Sequence, residues 1–131
     1  MHLSRLSAFA VIGATSLLVS CDDGPTVCTT IGEFAVVAEV FDATTGAPNA
    51  FEATLVVQDG QYVDSARGFY NGSVQPAAAR LTAAEERPGT YTVTVRKTGY
   101  IDWQRSNVVV RQGRCHVETQ TLRVDLRRAG A

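Results

Sequence analysis

Apolar and polar positions alternate in short runs along most of the chain, and no long segment holds a helical period. The clearest alternation is at residues 91–96, YTVTVR. Tyr91, Val93 and Val95 would face a core while Thr92, Thr94 and Arg96 face water. Residues 34–41, FAVVAEVF, are apolar on both faces, as in a central strand. Residues 51–57 put Phe51, Ala53, Leu55 and Val57 on one side. Asp59-Gly60 is a hairpin signal with residues 61–66 as the returning strand. Residues 67–76, RGFYNGSVQP, read as a loop. Residues 100–104 and 107–111 read as two short strands, and residues 114–126 as a last run. In that run Cys115 and Val117 are odd-numbered, whereas Leu122, Val124 and Leu126 are even. A regular strand cannot change face, so a β-bulge is expected near residues 119–121.

The first twenty residues follow a different pattern. Arg5 precedes a mostly apolar run, LSAFAVIGATSLLV, at residues 6–19. That is the layout of a secretory signal peptide. A bilayer span needs about 20 predominantly apolar residues, and this run is shorter and broken by Ser7, Gly13, Thr15 and Ser16. Its end, Leu18-Val19-Ser20-Cys21, resembles the bacterial lipobox. The resemblance implies diacylglycerol on the Cys21 thiol, cleavage before Cys21, and further acylation of the new amine, palmitate being a typical chain. Two or more acyl chains anchor stably where one does not. The alternative is a secreted protein with an incidental cysteine. Asp22 resembles an inner-membrane retention signal of some Gram-negative bacteria; otherwise Asp22 and Asp23 begin a solvated tether. The implied address is the bacterial cell envelope, facing the periplasm if the cell is Gram-negative.

Charge changes the picture little. The formal net charge is −1, and from Asp22 onward eleven basic side chains face thirteen acidic ones. Nothing in that balance points to nucleic acid. With Cys21 lipidated, Cys28 and Cys115 are left as an even pair in an oxidising compartment. The rival arrangement is a free, buried Cys115 with a loose Cys28. If the pair forms, the free tether is DDGPTV, residues 22–27, about 20 Å when extended.

Three stretches carry a second resemblance: VFDATTGAPNA, RPGTYTVTVRKTGY and NVVVRQGRCHVETQTLRVDL. They are similar to the carboxypeptidase regulatory-like domain, a transthyretin-like β-sandwich. Gly46 and Pro48 would mark the turn after the first strand, Gly89 and Tyr91 open a core strand, and Gly99 and Tyr100 close it. The resemblance implies an all-β, seven- to eight-stranded, transthyretin-like or Ig-like Greek-key sandwich. It turns residues 77–86, helical by composition, toward strand. It also implies a Cys28–Cys115 staple. The expected organisation is signal peptide at 1–20, lipid-anchored tether at 21–33, sandwich at 34–126 and tail at 127–131.

The motifs are structural and nearly silent on activity. Transthyretin-like hydrolases of hydroxyisourate use histidines, an arginine and a C-terminal Tyr-Arg-Gly-Ser. Here the chain ends DLRRAGA and keeps only His116 after the leader. One histidine makes no multi-histidine metal site, and no Gly-x-Ser-x-Gly elbow occurs. His116 reads as a surface side chain and Glu85-Glu86 as a solvated rim. An internal lysine–asparagine bond is not expected, because Lys97, the only lysine, sits at a strand end. No cofactor is expected. Phe69, Tyr70 and Trp103 are the candidate binding residues for a protein or glycan. The sequence therefore favours a non-catalytic, lipid-anchored binding domain. The alternatives are a structural envelope component assembling through sandwich edges and a transthyretin-like hydrolase.

Overall fold

A computed structural model describes residues 26–68 and 79–130. Among these residues seven strands form: β1 (Phe34–Asp42), β2 (Thr54–Asp59), β3 (Tyr62–Arg67), β4 (Arg80–Glu85), β5 (Gly89–Arg96), β6 (Trp103–Val110) and β7 (Gln120–Leu126). They make two sheets, β4-β1-β7 and β3-β2-β5-β6, with no helix among the described residues. β1 runs antiparallel to β4 and parallel to β7, so the first and last strands lie side by side.

The core between the sheets follows the period-two pattern. Val36, Ala38 and Val40 of β1 and Leu122, Val124 and Leu126 of β7 are buried from one sheet. Leu55, Val57, Tyr91, Val93 and Val95 answer from the other. Most of these side chains are small, so Tyr91 is the largest fully buried residue. Its ring fills the core while its hydroxyl donates to the Arg87 carbonyl at 2.7 Å, which spares a buried polar atom the cost of being unpaired. The Arg87 guanidinium lies 3.9 Å above the Tyr62 ring and is fixed by Asp59 at 2.8 Å. Tyr62 is thus half-buried and packed on the core.

β4 adopts the strand form over Arg80–Glu85. Ala84 has φ of 58° there, and its N–H leaves the ladder to meet Asp64 Oδ2 of β3 at 2.8 Å, stitching the two sheets. The predicted hairpin after Asp59 forms with Gly60 at φ of 58°. Gly68 is a different case. A Cβ there would lie 1.9 Å from the Ala50 carbonyl oxygen, so only glycine allows the chain to leave β3 beside that loop.

Three expectations are corrected. The strands expected at 100–104 and 107–111 are one, β6, and the break between them is a bulge. Tyr91 pairs with Val108 but Val93 with Arg105, so β6 carries one extra residue, with Asn107 at φ of 57°. Asparagine tolerates that conformation better than most residues. The bulge expected near residues 119–121 is not needed, because residues 114–119 are not strand and β7 begins afresh at Gln120. Phe51 lies before β2 and is exposed, so it does not share the buried face of Leu55 and Val57.

Candidate functional site

The register gives the sandwich two distinct ends. The start of β1 lies beside Glu85 and Gln120, and its finish beside Arg80 and Leu126. The chain enters at the first end. There Cys28 is bonded to Cys115 with a Cα separation of 5.4 Å, so the sequence expectation of that pair is met. Beside the disulfide, the Thr29 hydroxyl lies 3.0 Å from His116 Nε2, and His116 Nδ1 meets Glu86 Oε1. Glu86 also accepts the Glu33 N–H at 2.8 Å and the Val117 N–H at 3.3 Å. These donors, the Glu33 amide foremost and then His116, hold the Glu86 pKa below the ordinary carboxylate value.

Sequence reasoning read His116 as a surface side chain in a strand and Glu86 as rim. Instead His116 is half-buried, outside any strand, and Glu86 receives three donors. Hydroxyl, imidazole and carboxylate in this order can activate a nucleophile. Acyl transfer also needs oxyanion donors in a water-excluded site, whereas Thr29 is exposed. Its contacts tie the N-terminal segment to Glu86, just after β4, and to the stretch before β7. Neutral His116 can donate through Nδ1 and accept from Thr29 through Nε2, and protonated His116 can donate through both. The N-terminal segment is therefore held in either state.

The opposite end is polar and shaped. Asp42, 4% exposed, closes the turn after β1. It accepts the Tyr100 hydroxyl at 2.8 Å, the Thr44 and Thr45 amides, and the Arg128 guanidinium at 3.1 Å. These contacts, the Tyr100 hydroxyl first, hold its carboxyl well below the usual carboxylate range against the opposing effect of desolvation. Arg128, expected in a tail, is thereby built into the fold, and its backbone bridges Tyr100. Next to this group Lys97 Nζ donates to Asn49 Oδ1 at 2.5 Å and to the Asn49 carbonyl at 3.3 Å.

Along the same end runs an open groove of about 380 Å³, lined by Glu52, Thr54, Arg67, Arg96, Thr98 and Asp102 together with Lys97. Its floor follows from register: Thr54 of β2 stands between Arg67 of β3 and Arg96 of β5. Arg96 pairs with Asp102 at 2.9 Å, with both side chains mostly in water. Arg67 has no ion-pair partner among the described residues.

Of the candidate binding residues, Trp103 opens β6 at this end, half-buried and packed against the core. Phe69 and Tyr70 lie outside the described residues, as do Cys21 and the signal segment. The described chain leaves β3 at Arg67 and Gly68 and resumes at Ala79 before β4, so both flanks of residues 69–78 are at the groove end. The groove itself was missed in the sequence, because its residues come from four separate stretches. Among the described residues no cluster of three or more His, Cys, Asp or Glu side chains could hold a metal. Searches of family models and of curated proteins find no match to this chain.

Proposed function

We propose that this protein is a non-catalytic, lipid-anchored component of the bacterial cell envelope that presents one end of a carboxypeptidase regulatory-like, Greek-key sandwich to a protein or glycan. The observation that carries the reading is the polarity of the molecule. The Cys28–Cys115 bond fixes the chain to one end only seven positions after the lipobox cysteine, Cys21. The groove, Trp103 and the flanks of residues 69–78 occupy the other end. A short tether of this kind holds the fastened end near the bilayer and turns the groove end outward. Assembly through sandwich edges finds less support. The edge strands β3 and β6 each expose one large aliphatic side chain, Val63 at 57% and Val109 at 49%, rather than an apolar strip.

The test is crosslinking in intact cells with a photoreactive residue at Thr98, in the groove, or at Gln61, in the β2–β3 turn. The expected result is specific adducts from position 98 and not from position 61. Adducts from position 61 alone would overturn the orientation. Replacing Cys21 by Ser is expected to release the protein from membranes. Continued membrane retention in that variant would refute the lipid anchor.

A further inference from the structure

The chain contains eleven arginines and one lysine, and that lysine is the residue placed against a buried asparagine. An arginine could supply charge and hydrogen bonds at that point. It could not supply a neutral amine, because a guanidinium does not lose its proton in proteins. Lys97 is half-buried, and this desolvation pulls its proton affinity down, against the opposing charges of Glu52 and Asp42.

The asparagine side is equally specific. Asn49 is 9% exposed, and Lys97 Nζ sits on its side-chain carbonyl oxygen at 2.5 Å. Its Nδ2 is buried with no hydrogen-bond partner among the described residues. A buried, unpaired amide nitrogen is costly to keep. The Asn49 backbone is also tied to β1, because its N–H is bonded to the Val40 carbonyl at 2.8 Å.

We infer that Lys97 and Asn49 join after folding through an amide bond between Nζ and the Asn49 side-chain carbonyl carbon. Glu52, which lines the groove with Lys97, takes a proton from the Lys97 ammonium. The neutral amine adds to the carbonyl carbon, the tetrahedral adduct collapses, and the carbon–Nδ2 bond breaks. The leaving nitrogen takes up two protons originally on Nζ and departs as ammonium. Lysine ammonium plus carboxamide thus becomes secondary amide plus ammonium, with no change in oxidation state and no co-reactant. Fixed contact between the two groups replaces an encounter in solution and lowers the barrier. The product removes the unpaired Nδ2 and ties the turn after β1 to the end of β5. The domain would then be closed by sulfur at one end and by an amide at the other.

The test is a peptide map of the full chain extracted from membranes, reduced, denatured and digested with trypsin. The expected product is a branched peptide joining the segment that contains Asn49 to residues 97–105, lighter than the sum of its parts by one ammonia. Trypsin does not cut after an acylated lysine, so the peptide of residues 98–105 should be nearly absent. Recovery of that peptide in full amount from the folded wild-type protein would overturn the proposal. Lys97→Arg should eliminate the branched peptide, and Glu52→Gln should shift wild-type material from mostly joined to mostly unjoined. Full joining in Glu52→Gln would overturn the role given to Glu52. The wild-type map decides the bond itself even if either variant fails to fold.

Discussion

The Tyr100 hydroxyl donates to the Asp42 carboxylate at 2.8 Å, closing a contact between residues 58 apart in sequence. Asp42 is a buried charge compensated from every side, which is the only way such a group is tolerated. Its folded pKa lies below its unfolded value, so the stabilisation is fully present above the unfolded carboxylate range, about pH 4. It is lost as pH falls through the folded value. Glu86 acts in the same direction. Thermal melts between neutral pH and pH 2 should show stability falling below about pH 4, and less steeply in Asp42→Asn, which starts from a lower melting temperature. Tyr100→Phe should move the wild-type curve part of the way. Parallel curves for wild type and Asp42→Asn would refute this account.

Reducing the Cys28–Cys115 bond opens a constraint spanning 87 residues. The chain-entropy estimate for a loop of that length is about 4–5 kcal/mol. Paired Cys28→Ser and Cys115→Ser replacements should lower unfolding stability by about that amount in denaturant titrations, with faster hydrogen exchange in residues 26–33. A loss under about 1 kcal/mol would mean that the Thr29–His116–Glu86 contacts hold the segment without the disulfide.

Tyr91 separates ring from hydroxyl. Tyr91→Phe keeps the packing and leaves the Arg87 carbonyl without that donor, a cost of about 0.5–1.5 kcal/mol. Tyr91→Ala empties the site of the largest buried side chain and should cost about 3–5 kcal/mol, as for other buried aromatics. Equal losses in chemical denaturation would show that the hydroxyl, not the ring, dominates.

The β6 bulge predicts an inverted preference. At Asn107, φ of 57° disfavours β-branched residues, so Asn107→Val should destabilise by about 1–3 kcal/mol although valine suits strands elsewhere. Asn107→Gly should be close to neutral. A stabilised Asn107→Val protein would mean the bulge does not form.

The strands were legible where one period-two face is buried, as in residues 91–96, because alternation alone records which side meets the core. Residues 77–86 were not legible by composition: alanine and glutamate favour helix, and pairing with β1 decides otherwise. The split of β6 and the bulge expected near residues 119–121 share one cause. A change of phase shows that a strand is interrupted, and cannot distinguish an inserted residue from a strand that starts late. The groove and its neighbours were the least legible. Asp42 with Arg128, Lys97 with Asn49, and Glu86 with His116 are brought together by the sheets, and nothing local in the sequence marks them as partners. The position of Lys97 after β5 does not reveal that this end of the strand faces the turn that carries Asn49.

The pairing of β1 with β7 has a consequence for biogenesis. One flank of β1 stays bare until the final strand arrives, since its parallel neighbour is residues 120–126. A polypeptide that emerges from its amino end cannot complete this sheet midway. Closure of this sheet waits for the far end of the chain, so compaction comes late, after residues 120–126 are free to join.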